Sequence, residues 1–245
     1  CTDKIALSIL ETLFFNVVII LVFISILISL KHWILFLTTF GILVLGLIYN
    51  FISRYFLFMD VTVVTATHHA IPMFSTALLL KLSFIESIKI SIFVYIVYWL
   101  FVHIKNLKGI GEDKQRNYKT IGTVFNAPKK IGLIFFELSF ILMFMGYFLF
   151  NFKISYLFFI VVLYILKTII TQNIILGNCE KALNFLRFMS VFFVYSIVLQ
   201  FNLSTYTFLF CSIPIVSSMV VTSKELDFKF ISNIKFWTEQ SSYQK

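Results

Sequence analysis

Residues 131–150, IGLIFFELSFILMFMGYFLF, contain one charged side chain, Glu137, and no proline. A run of about 20 apolar residues matches the roughly 30 Å hydrocarbon core of a bilayer at the helical rise of about 1.5 Å per residue. Lipid offers the backbone no hydrogen-bonding partner, so only a helix or a closed barrel can span it. This run lacks the period-two alternation of a barrel strand, which makes it a helix. Working outward, runs of the same kind occur at 6–30, 33–53, 60–82, 88–104, 154–172, 184–201 and 203–221, giving eight spans in all. The sequence therefore predicts an all-α polytopic transmembrane bundle over residues 1–222, followed by a polar tail at 223–245. Composition agrees. The chain of 245 residues is 60% hydrophobic and 13% charged, against about 45–50% and about 25% in soluble domains. That excludes a soluble globular domain and a disordered chain alike. The 32 Phe residues fill lipid-facing positions and carry no functional signal of their own.

The few charges are sorted by side. If the chain starts on one face and crosses at every run, fifteen basic residues fall on that face and four (Lys31, Lys81, Lys89 and Lys153) on the other, with Lys167 unassigned near a helix end. The positive-inside rule makes the richer face cytoplasmic. The N-terminus, the loop at 105–130 and the tail are thus expected in the cytoplasm, in the inner membrane if the source is bacterial. The net charge of +9 is mostly this topology signal. A nucleic-acid partner would need a soluble basic face, and none is expected. Cys1, Cys179 and Cys211 sit at a chain end, in a polar connection and inside an apolar run, with no disulfide framework. The opening Cys in place of Met suggests a processed chain or a piece of a longer one.

Ionisable residues inside spans cost a few kcal/mol on insertion scales, so each is a candidate functional group. Asp60 falls at the cytoplasmic entrance of the third run, with Arg54 as one candidate partner. His68 and His69 are adjacent, hence about 100° apart on an α-helix, and cannot grip one metal as an i, i+4 pair does. Hydrogen bonding between helices is the more economical reading for both. Pro72 removes the donor that His68's carbonyl would use and predicts a kink. Glu137, near the start of the fifth run, is expected to be neutral and hydrogen-bonded.

The loop KNLKGIGEDKQRNYKTIGTVFNAPKK (105–130) follows directly from the fourth run. If that helix continues, Asn106 and Asp113 lie two turns apart on one face. Oxygen ligands so spaced, beside Lys and Arg, can hold a hydrated Mg²⁺ bridged to a diphosphate. By spacing alone, a solvated loop whose basic residues only fix topology is the simpler alternative.

The segment NLKGIGEDKQRNYKTIGTVF (106–125) resembles the second aspartate-rich motif of UbiA-type membrane prenyltransferases, D-x-x-D-x-x-G-D-x-x-x-G-x-x-T followed by a hydrophobic pair. Asp113 matches the last aspartate, Lys114 the basic residue after it and Thr120 the threonine. Asn106 and Gly109 stand at the two earlier aspartate positions, and Glu112 and Asn117 at the glycines. Upstream, YNFISRYFLFMDV (49–61) is similar to the family's tyrosine, basic residue and D-V segment, through Tyr49, Arg54 and Asp60. The resemblance implies a bundle entered just before the family's third helix, lacking its first two. It also implies an activity: transfer of a polyprenyl group from a prenyl diphosphate to a small, usually aromatic acceptor, as in quinone or lipid biosynthesis. Mg²⁺ would be the cofactor, with Asp113 as ligand, Asn106 as its neutral counterpart and Glu112 as compensating carboxylate. Arg54, Lys114 and Lys119 would contact the diphosphate, and Tyr49 would hydrogen-bond nearby.

Two departures matter. Asn106 and Gly109 remove two negative charges from a site built for a hard cation. The family's first aspartate motif is also absent from these residues, so it is expected upstream together with two further spans, and without it the chain is expected to be inactive. A transporter component would be expected to show internal repeats, and none is evident. The D-G-x-x-A-R pattern of CDP-alcohol phosphotransferases is missing, and four His with three Cys are too scattered for haem or iron–sulfur ligation. The competing reading is a non-catalytic polytopic membrane protein.

Overall fold

The computed structural model describes residues 33–51 and 55–201. The runs at 6–30 and 203–221, the tail and Arg54 lie outside the described residues. Within them every regular element is helical, and the six remaining runs each fall on helix. In chain order these are α1 (Trp33–Phe51), α2 (Met59–Thr65), a π-helical turn (Ala66–Ala70), α3 (Ile71–Leu79) and α4 (Phe84–Val102). A 3₁₀ turn (His103–Leu107) leads to α5 (Ile110–Gln115) and α6 (Ile121–Val124), then α7 (Pro128–Leu149), α8 (Ser155–Ile175) and α9 (Cys179–Phe201). Four helices are long and apolar enough to cross a membrane: Phe84–Leu107, Pro128–Leu149, Ser155–Ile175 and Cys179–Phe201.

Helix starts differ from the apolar runs for local reasons. α4 begins ahead of residue 88 because Ser83 and Glu86 form a capping box: the Ser83 hydroxyl accepts from the Glu86 amide at 3.3 Å, and the Ser83 amide donates to Glu86 Oε2 at 3.1 Å. α7 starts at Pro128, whose missing N–H costs nothing in a first turn. α9 starts at Cys179 and carries Glu180 in its first turn, a polar stretch that a search for apolar runs passes over. The kink expected at Pro72 takes the form of the π turn. The Ile71 amide donates to Ala66, five residues back, so the helix carries an extra residue just before the proline.

The core lies between α4, α7, α8 and α9, around Val94, Val97, Tyr98, Phe136, Met143, Tyr156, Leu163 and Phe193. Its two fully buried tyrosines hydrogen-bond to backbone carbonyls across helices, Tyr98 to Ser190 and Tyr156 to Met143 at 2.8 Å. Gly146 sets how closely α7 approaches α4, because a Cβ there would lie 2.6 Å from Phe93 Cζ. Outward positions such as Ile134, Ile141, Phe148, Phe158 and Val161 are apolar and exposed, as lipid-facing positions are.

Consecutive long helices alternate direction. Lys108 meets Glu180 at 2.9 Å at one end of the bundle, and the Lys153 amide donates to Gln200 Oε1 at 3.1 Å at the other. Glu137 has a definite partner: Lys167 Nζ on α8 lies 2.6 Å from its carboxylate and packs over the rings of Phe140 and Tyr164.

Candidate functional site at one end of the bundle

The 105–130 segment does not extend α4 as one helix. The chain tightens into the 3₁₀ turn at His103–Leu107, passes Gly109, and restarts as α5. α5 is held against α6 by Ile110, which packs where a side chain on Gly122 would sit: a Cβ there would lie 2.5 Å from Ile110 Cγ1. The returning loop is pinned by the Tyr118 amide, which donates to the Asp113 carbonyl at 2.9 Å. Asn106 and Asp113 still reach one cavity, through a broken backbone path and not through continuous helical phase.

That cavity has a volume of about 300 Å³. α1 contributes Tyr49, α2 contributes Asp60, Val61 and Val64, α4 contributes Val102, the 3₁₀ turn contributes Lys105 and Asn106, and α5 with its C-cap contributes Glu112, Asp113 and Arg116. Asn106 Nδ2 donates to Asp60 Oδ2 at 2.9 Å, while Asp60 Oδ1 is buried without a hydrogen-bond partner among the described residues. The Thr120 hydroxyl donates to Asp113 Oδ2 at 3.3 Å. Three carboxylates and two basic side chains thus share the mouth.

Directly below lies a second cavity of about 440 Å³. Tyr49, Val64, Val102 and Lys105 line both cavities, so the two adjoin. The lower one is bounded by Thr67, His68 and His69 of the π turn, Phe101 of α4, and Leu183, Leu186, Arg187 and Ser190 of α9. His69 stacks on Tyr98 with ring centroids 3.5 Å apart and planes 13° apart.

Of the residues singled out in the sequence, Tyr49, Asn106, Glu112 and Asp113 line the upper cavity, with Asp60 among them. Lys114 and Lys119 are exposed and are not among its lining residues. Lys105 and Arg116 line the cavity instead, two basic residues of the same loop that spacing did not distinguish from their neighbours. Asp60 takes its hydrogen bond from Asn106, a partner 46 residues away.

Mg²⁺ binds through hard oxygens and commonly takes only one or two carboxylates from protein, the remainder from water and phosphate. Among the described residues, no three His, Cys, Asp or Glu side chains form a metal-holding group. Asp60, Glu112 and Asp113 line the same cavity, and each carries the hard oxygen donors of which Mg²⁺ takes one or two. Together the fold and the site define an all-helical membrane protein with a charged cavity at one end of its bundle. Comparison with protein-family models, with curated proteins and with solved structures found no match.

Proposed function

We propose that this protein is an integral membrane prenyltransferase that moves a polyprenyl group from a prenyl diphosphate to a small acceptor, aromatic or otherwise hydrophobic. The observation that carries the reading is the meeting of two separate sequence stretches. Tyr49 and Asp60 from the first, and Asn106, Glu112 and Asp113 from the second, line a single cavity that adjoins a larger one. On this reading Asp113 and Asp60, with Glu112 beside them, hold Mg²⁺, whose chemistry is Lewis-acid stabilisation of the departing diphosphate. Lys105 and Arg116 balance the remaining phosphate charge, and Tyr49 lies at the junction where the reacting carbon would sit. Val61, Val64 and Val102 limit water around that carbon, and the cavity below takes the first isoprene units. The bundle is completed by the two further apolar runs to about eight spans, with the 105–130 segment and the tail in the cytoplasm.

The test is release of diphosphate and formation of prenylated product from labelled geranyl or farnesyl diphosphate by the full-length protein with Mg²⁺. Asp113→Ala and Asp60→Ala are each expected to lower turnover by about 100-fold or more, the scale of losing a group that stabilises transition-state charge. Turnover equal to wild type in Asp113→Ala would remove that residue from the site. One observation favours a second reading, a non-catalytic relative. The Asn106 amide satisfies an Asp60 oxygen that a cation would otherwise take, and on that reading Mg²⁺ alters neither ligand binding nor stability.

A further inference from the structure

From the hydrogen bonding in the π turn we infer that His68 is the general base that accepts the proton lost by the acceptor, an assignment that rests on the prenyl-transfer reading. Its Nδ1 lies 3.1 Å from the Val64 carbonyl oxygen and 2.8 Å from Thr67 Oγ1. A carbonyl can only accept, so Nδ1 carries the hydrogen. The Thr67 hydroxyl donates to the Val63 carbonyl at 2.8 Å, which leaves its oxygen as an acceptor toward His68 as well. The Val64 carbonyl fixes the tautomer that leaves Nε2 as a lone pair, and the Thr67 contact is compatible with it. Among the described residues no hydrogen bond to Nε2 is formed, and the His68 side chain is exposed where it lines the lower cavity.

Position supports the role. Asp60, Val64 and His68 follow one another at four-residue spacing along one helix face, and Val64 lines both cavities. At about 1.5 Å per residue His68 lies roughly 12 Å below Asp60, a span that fits a diphosphate, its C1 carbon and a bound acceptor. The groups lining the cavity with His68 are His69, Lys105, Arg187, Tyr49 and Ser190. The basic ones are suited to the acceptor's negative charge, and none competes with His68 as a neutral proton acceptor of fixed tautomer. His69 is engaged in its stack on Tyr98.

In the step itself the C1–O bond of the prenyl diphosphate breaks and its electron pair leaves with the diphosphate. A nucleophilic atom of the acceptor bonds to C1. The proton displaced from that atom passes to His68 Nε2 and then to water, returning the imidazole to its neutral form.

His68→Asn separates this role from a structural one, because its amide can still donate to the Val64 carbonyl but offers no base. With labelled geranyl diphosphate and 4-hydroxybenzoate or a dihydroxynaphthoate as acceptor probes, product formation is expected to fall by about 100-fold or more with KM for the diphosphate within about twofold, the size expected for a lost general base. Added imidazole should restore product formation to His68→Gly. Product formation within about threefold of wild type in His68→Asn overturns the assignment, since a general base is worth far more than that. So does a loss carried wholly by KM, or an absence of product with both acceptors when wild type does release diphosphate. A wild-type protein that neither binds nor turns over prenyl diphosphate overturns the prenyl-transfer reading, and this assignment with it.

Discussion

The bond from Asn106 to Asp60 shows what one neutral side chain does in a charged site. An amide facing a buried carboxylate supplies a donor without adding charge, and a hydrogen bond to a charged group is worth about 1.5–3 kcal/mol. Asn106→Asp removes the donor and sets two carboxylates face to face, an arrangement relieved by a cation between them or by a shared proton. Thermal unfolding in detergent should therefore show the variant less stable than wild type in EDTA, by about 1–3 kcal/mol, and restored by millimolar Mg²⁺. Restoration by Na⁺ alone would argue against a divalent site. Sequence reading reached the identity of these residues but not their partners. Asp60 was legible as a costly carboxylate at a span entrance, with Arg54 as its nearest cation in sequence. Its donor among the described residues, Asn106, lies 46 residues away, and contacts between distant segments leave no local spacing to read.

At the scale of elements, the six runs inside the described residues were legible because apolar length is a strong signal, and their ends were not. Ser83, Pro128 and Glu180 set helix starts through capping and charge, which a hydropathy window averages away. The loop at 105–130 was readable as the chemical segment, but its division into a 3₁₀ turn, α5 and α6 depends on packing such as Ile110 on Gly122. Glu137 and Lys167 show coupling between two elements. Glu137 lies about two and a half turns into α7, roughly 14 Å from its start at 1.5 Å per residue, well inside the apolar slab. Lys167 is 13% exposed and Glu137 47%. Lys167→Met should lower stability by about 3 kcal/mol, because it leaves the carboxylate unpaired at that depth. The double variant Glu137→Gln with Lys167→Met should recover most of that loss in a thermal double-mutant cycle. Additive losses would mean that the two side chains do not stabilise one another.

For the whole molecule, the strongest sequence inference was the asymmetry of basic residues, and its consequence is an orientation. In a cysteine-free background, Lys119→Cys and Lys153→Cys should react with membrane-impermeant maleimide from opposite sides, Lys119→Cys only once the cytoplasmic face is opened. Labelling of both from outside would reverse or break the proposed topology. The four long helices alternate in direction, as the end-to-end pairings of Lys108 with Glu180 and Lys153 with Gln200 show. The ion pair also bears on biogenesis. Glu137 is synthesised before Lys167, and α7 alone would carry an uncompensated carboxylate into the bilayer. The short turn between Leu149 and Ser155 delivers α8 directly afterwards, so the charges can neutralise one another while both helices are still beside the insertion machinery. α7 and α8 are thus suited to enter the membrane as a single hairpin, with the order of synthesis and the spacing of two charges setting the unit of insertion.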